Sequence, residues 1–176
     1  MNKLPAPTPE EYAAFYTDYI QRAIARKDVL AALPAQLDEL RLTLGSLTDS
    51  QARTRISADD WSIKEVVSHL IDTERVFSYR LLRISRKDKT PLPGFEQEEY
   101  VRESGADDLP LGELLAEFEY LRQANMLAIK NTKAANFSEV GRASGNPVSA
   151  RALVYMLVGH VDHHMASLKE KYLPLL

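Results

Sequence analysis

His160 and His164 stand four residues apart in Gly159-His160-Val161-Asp162-His163-His164, on a face otherwise filled by Leu153, Leu157 and Leu168. In a helix this spacing projects both imidazoles from one side, with Cβ atoms about 5–6 Å apart, so the two rings can share an ion. The chain has four histidines, and the only one outside this segment, His69, also falls on an inward face, among Val66, Leu70, Thr73, Val76, Phe77, Leu81 and Ile84. Alone, an H-x3-H pair is more often a pair of core histidines bonded to carboxylates or carbonyls. A third inward histidine shifts that balance. Burying three imidazoles without partners costs about 1–3 kcal/mol each, whereas one shared metal satisfies all three. Cysteine is absent, so any metal here must take nitrogen or oxygen ligands.

Three neutral histidines leave a divalent ion with open coordination positions, the arrangement of a catalytic rather than a structural site. Such a centre lowers the pKa of bound water to about 7 and stabilises a bound thiolate in the same way, so the nucleophile can arrive with the substrate. His163 points about 100° away from His164, which favours packing or support of the site over ligation. Asp162, Asp72 and Glu74 could accept the second ring N–H of a ligating histidine, although exposed helix carboxylates are the plainer reading. Arg80 is the cation expected nearest the pocket. Its basic neighbours Arg75, Arg83, Arg86, Lys87 and Lys89 are accounted for by a helix C-terminus, which favours positive charge. Trp61 either lines the site or staples the helix entrance, and Phe95 and Tyr100 either cover the metal or pin a loop.

These residues need helices to hold them. Thr8-Pro9-Glu10-Glu11 predicts a helix start running to about Lys27, and Asp28 caps a second stretch with Leu33, Leu37, Leu40 and Leu44 inward and Gly45 as its stop, Pro34 kinking or restarting it. Ser62-Ile63-Lys64-Glu65 is a capping box opening a helix to about Arg86. Residues 88–110 form a connection longer than compact domains usually carry, as lids and binding loops do. Leu111, Leu114, Leu115, Phe118, Leu121, Met126 and Ile129 mark another helix to about Lys133. Asn146-Pro147 caps the last helix, which runs to about Tyr172, and no strand-like alternation rivals these segments. An all-α, antiparallel four-helix bundle with an extra N-terminal helix results, as one domain over 1–176 with 1–27 as its helical extension.

Charge and hydropathy narrow the partners. Lys plus Arg number 22 against 25 for Asp plus Glu, a formal net charge of -3, so no global polycation attracts nucleic acid. The start MNKLPAPTPEEY lacks the apolar core of a signal peptide. The longest apolar run, 152–159, is far short of the roughly 20 residues of a membrane span, so a cytoplasmic protein is expected.

The run Trp61-Ser62-Ile63-Lys64-Glu65-Val66-Val67-Ser68-His69, continued by Asp72-Thr73-Glu74-Arg75, resembles the second bundle helix of the DinB/YfiT-like family. Farther along the chain, Arg80, Leu82, Arg83 and Asp88-Lys89-Thr90-Pro91-Leu92-Pro93-Gly94-Phe95 resemble the same family, as do Gly145-Asn146-Pro147-Val148-Ser149 and Gly159-His160 through His163-His164. The resemblance covers nearly the whole chain from Tyr12 to Leu173. It implies a four-helix bundle, commonly a homodimer, with the metal held by His69, His160 and His164. It also implies a thiol-dependent transferase or isomerase using bacillithiol, mycothiol or glutathione, the sequence being most similar to the bacillithiol-transferase branch. Val161-Asp162 departs from the Glu-Leu expected between the last histidines. The expected activity is thus metal-dependent thiol S-transfer to an electrophile, with zinc or nickel the first choice of metal and iron the next. A metal-dependent hydrolase and a non-catalytic metal-binding stress protein are the alternatives, and no DNA binding is expected.

Overall fold

The computed structural model describes residues 3–176. Six helices carry the architecture: α1 Thr17–Ala25, α2 Val29–Leu44, α3 Ile63–Ser85, α4 Gln97–Glu103, α5 Leu111–Lys130 and α6 Ala150–Ser167. The long helices α2, α3, α5 and α6 form the bundle. Here α2 and α3 each pack against both α5 and α6, so α2 lies diagonally across from α3 and α5 from α6, and α1 lies along the outside of α6.

Local chemistry sets the starts. Asp28 caps α2 by accepting from the N–H groups of Leu30 and Ala31 at 3.1 and 3.2 Å, and the helix continues through Pro34. Ser62 and Glu65 exchange hydrogen bonds at 3.0 and 2.8 Å, closing the capping box of α3. Three expectations need correction. The Thr8 box forms only a 3-10 turn, Pro9–Glu11, before the chain extends at Tyr12, and α1 begins at Thr17. Glu11 is held by Arg151 of α6 and the Tyr155 hydroxyl donates to the Leu4 carbonyl at 2.8 Å, so the segment is laid against α6 instead of continuing as helix. The last helix is capped by Ser149, whose hydroxyl accepts from Ala152 N–H at 3.0 Å, and not by Asn146. Asn146 opens a strand instead: β1 Val140–Ala143 and β2 Asn146–Ser149 form a hairpin, turned by Ser144 and Gly145 at φ 50° and 77°. Two positive φ angles in a two-residue loop suit the right-handed twist of paired strands.

Helix direction explains the long connection. Lys64 at the start of α3 donates to the Leu109 carbonyl just before α5 at 2.5 Å, and Asn136 after α5 donates to the Ser85 carbonyl ending α3 at 2.9 Å, so α3 and α5 run the same way. The Tyr172 hydroxyl beyond α6 reaches the Trp61 carbonyl before α3 at 3.0 Å, so α6 runs against α3. Leu33 shares a cluster with Leu153 and Leu44 another with Leu168, so α2 runs with α6. The bundle has two helices in each direction, in chain order up, down, down, up. Returning from the end of the 23-residue α3 to the start of α5 means retracing about 35 Å. Residues 86–110 do so, with α4 and the 3-10 turn Ala106–Asp108 inside them. None of the described helices is long and apolar enough to cross a membrane.

The interior is two apolar clusters with a polar belt between them. Ile20, Leu33, Phe77, Leu153 and Leu157 fill the hairpin end, and Leu40, Leu70, Phe118, Val161 and Leu168 the other. In the belt, Arg122 of α5, wholly buried, grips Glu74 of α3 with two bonds of 2.8 Å, and Asn125 adds a third at 2.9 Å. Arg122 also donates to Gln36 of α2 at 2.9 Å, and Gln36 donates to the Val158 carbonyl and to Asp162 of α6, both at 2.8 Å. All four bundle helices meet in this network.

Candidate metal centre

His69 sits in the second turn of α3, and His160 and His164 share a face of α6. Because α3 and α6 run oppositely side by side, the early turns of one face the late turns of the other, and the three rings converge. Their centroids lie 4.6 to 4.9 Å apart, and one ring nitrogen from each falls within 4.8 Å of the others. Nε2 of His69 and Nε2 of His160 are 3.0 Å apart. Two nitrogens on a tetrahedral ion at about 2.0–2.1 Å keep roughly 3.3–3.4 Å between them, so small ring movements admit a metal. This donor set fits a divalent ion.

Burial fixes the protonation state. His69 and His160 are almost wholly inaccessible and His164 partly so. Burial first, and then repulsion from His163, pushes His69 down to about 4. Burial, then His69 and His163, pushes His164 down to about 3. His160, lowered by burial and then by His164, His69, His163 and Arg122, lies well below its ordinary value. All three are neutral at pH 7 and offer lone pairs.

Aromatic rings, not carboxylates, hold the imidazoles. Trp61 packs 4.8 Å from His69 and stacks over His164 at 6.4 Å, while Tyr19 meets His160 edge-on at 5.3 Å and Phe77 does so at 6.0 Å. Tyr19 reaches His160 because Gly159 has no side chain: a Cβ there would fall 1.8 Å from the Tyr19 carbonyl oxygen. Two clefts open at the rings. One, of about 480 Å³, borders His69, His160 and Thr73, with Tyr16, Tyr19 and Phe95 among its walls. The other, of about 260 Å³, borders His164 and carries Trp61, Asp59, Asp60 and Glu98.

His163 faces outward, with Nδ1 2.9 Å from an Asp18 carboxylate oxygen, beside the smaller cleft. Glu74 gives both carboxylate oxygens to Arg122 and Asn125, Asp162 is tied to Arg26 and Gln36, and half-buried Asp72 faces Arg75 at 3.6 Å. Among the described residues none of these carboxylates accepts from the three clustered rings, so that expected support is replaced by aromatic packing. Buried Arg80 donates to the Pro93 carbonyl at 2.8 Å and to Ser144 Oγ at 3.1 Å, tying the crossover to the hairpin. Trp61 donates its indole N–H to Glu98 at 3.0 Å. Phe95 borders the larger cleft, and Tyr100 packs on Phe95 at 5.3 Å, in an adjoining cleft with Arg80. Sequence patterning did not single out Tyr16 or Tyr19, whose positions depend on how α1 docks. Thr73 and Phe77 read only as inward helix positions.

The family model for the DinB superfamily matches residues 32–168. A putative metal-dependent hydrolase of Geobacillus thermodenitrificans is 26% identical over 151 residues, 84% of this chain and 84% of that protein. A second putative metal-dependent hydrolase, from Oceanobacillus iheyensis, is 22% identical over 142 residues, 80% of this chain and 81% of the other. Among solved structures, YfiT from Bacillus subtilis, described as a probable metal-dependent hydrolase with an unusual four-helix bundle topology, superposes with a TM-score of 0.71 at 18% identity, covering 96% of this chain and 93% of its own. A mycothiol-dependent maleylpyruvate isomerase gives 0.67 at 14% identity, covering 86% of this chain and 63% of its own. These two structures share the fold.

Proposed function

This chain belongs to the DinB superfamily, and on that premise we propose that it is a metal-dependent enzyme, a thiol S-transferase whose divalent ion is held by His69, His160 and His164. The observation that carries the reading is the convergence of three neutral imidazole nitrogens within 4.8 Å of one another, between two clefts. When bound, the ion supplies positive charge that lowers the pKa of a thiol or water and leaves positions for it to occupy.

The surrounding residues favour a thiol over water. A cysteine-type thiol has a pKa of about 8.5, against 15.7 for water, so far less assistance is needed to ionise it. Hydrolysis is ordinarily helped by a carboxylate base beside the metal, as in the H-E-x-x-H helix. Here the position that follows the first histidine is the apolar Val161, and the next residue, Asp162, is locked to Arg26 and Gln36. The rings hold the ion, aromatic packing from Trp61, Tyr19 and Phe77 fixes their orientation, and Phe95 narrows access from solvent. The reaction balances without a protein nucleophile: the thiol proton leaves to solvent, sulfur bonds to the electrophilic carbon, and the leaving group departs with its electron pair. The naming of one structural neighbour as mycothiol-dependent supports the thiol reading.

Hydrolysis is the second reading, favoured by the names of both curated relatives. One experiment separates them. Protein prepared without a histidine tag is loaded with zinc, nickel or iron(II) and given an activated ester or an alkylating electrophile, with and without bacillithiol, mycothiol or glutathione. Consumption that requires both metal and thiol, and that His160→Ala abolishes, is the expected result. Metal-dependent ester cleavage indifferent to thiol would establish the hydrolase, and failure to retain stoichiometric metal would end both readings.

A further inference from the structure

A residue of the larger cleft carries a hydroxyl with nothing to bond. Thr73 Oγ1 is buried without a hydrogen-bond partner, the only such side-chain atom among the described residues, and Thr73 is one of the residues lining the cleft beside His69 and His160. Thr73 lies one turn beyond His69, on the same face of α3. A helical threonine ordinarily returns its hydroxyl to the carbonyl four residues earlier, and this one does not. A buried hydroxyl left unpaired is destabilising unless something else supplies the bond. The walls around it are rings: Phe15, Tyr16, Tyr19, Phe77 and Phe95. Tyr16 and Phe77 stand edge to face at 5.9 Å, and Phe15 packs on Tyr16 at 4.2 Å, so a flat ring entering the cleft meets both faces and edges. A volume of about 480 Å³ is that of a small-molecule site. The smaller cleft beyond His164 differs in character, carrying Asp59, Asp60 and Glu98.

From this asymmetry we infer that the larger cleft binds the electrophile, that the electrophile is aromatic, and that the Thr73 hydroxyl hydrogen-bonds a polar substituent on it; the word electrophile rests on the thiol-transfer reading, whereas the binding of an aromatic ring beside Thr73 does not. Thr73 is a substrate-positioning residue in this scheme.

The test uses the metal-loaded protein without any thiol, with benzamide and toluene as probes, their affinities measured by ligand-observed NMR in wild type, Thr73→Val and Thr73→Ser. Benzamide should bind wild type, weaken about five- to tenfold in Thr73→Val, the worth of one hydrogen bond, and recover in Thr73→Ser. Toluene affinity should change less than twofold across the three. Thr73→Val should melt no lower than wild type, because its hydroxyl bonds nothing in the free protein. The inference is overturned if neither probe binds, if the valine variant weakens both probes equally, or if it lowers the melting temperature while Thr73→Ser does not, which would give the hydroxyl a structural partner. If the probes behave as expected but no thiol accelerates any reaction, the transferase reading fails and the aromatic site stands. Thiol-dependent turnover without probe binding would do the opposite, sinking the aromatic site and leaving the transferase intact.

Discussion

Three largely buried imidazoles packed within 5 Å of one another have to remain neutral, and that has a calorimetric consequence. At pH 6 three ordinary imidazoles would together carry roughly two protons, which a metal would have to displace. With His69 pushed down to about 4, His164 to about 3 and His160 well below its ordinary value, the free site carries almost none. Zinc titrations at pH 6 in buffers of different ionisation enthalpy should therefore give the same heat, with proton release near zero; release of about two protons would show the rings to be solvated. The same depressed values make the metal-free protein pH-sensitive in one direction. The unfolded chain takes up protons near 6.5 and the folded one only near 4 and below, so stability is whole above 6.5 and is lost as pH falls toward 3. The convergence of the rings was legible in the sequence, because a third histidine on an inward helix face gives the pair spaced by four residues a common cause. Thr73 was not, since nothing in residue type distinguishes a hydroxyl bonded to its own helix from one left free. Nor was the engagement of Glu74 and Asp162, whose partners Arg122, Gln36 and Arg26 are remote in sequence and are chosen by packing.

At the scale of elements, two contacts decide how helices meet. The first is Gly159, where the backbone of α1 touches α6. Alanine would ordinarily strengthen a helix by about 1 kcal/mol, but its Cβ would lie 1.8 Å from the Tyr19 carbonyl oxygen, so α1 must shift. Gly159→Ala should cost a net 1–3 kcal/mol, about 2–12 °C in melting temperature, and should loosen Tyr19 from His160, read as weaker metal retention. The second is Arg122 with Glu74. Removing one partner leaves a buried charge, so Glu74→Gln should destabilise by about 3–5 kcal/mol, whereas Glu74→Gln with Arg122→Met should regain at least half of that loss. Equal losses in the single and double variants would deny the pair its role in joining helices. Helix existence was legible wherever a cap preceded a periodic run, as at Asp28 and Ser62. The N-terminal turn and the hairpin were not. At Thr8 the local capping signal was present, but contacts to Arg151 and Tyr155 outweighed continuation of the helix, and strands of four residues are too short for alternation to show.

Across the whole molecule, a bound ion would join helices distant in the chain, His69 and His160 being separated by 91 residues. Free metal at a hundredfold excess over its dissociation constant adds about 2.7 kcal/mol of stability. For a domain of this size that raises the melting temperature by roughly 5–10 °C, an increment that a chelator should reverse and His69→Ala should abolish. A chelator-insensitive melting curve would speak against metal binding by the cluster. The crossover that retraces the bundle has a consequence of another kind. It places one of the three clustered histidines before itself and two after, and its residues from Glu96 to Glu99 are exposed. A backbone cut there would divide the ligand set between two fragments that still face each other across α3 and α6. Their reassociation would then be a chemical measurement of the ion itself, with the protein acting as a complementation sensor whose two halves recognise each other more tightly when metal is present.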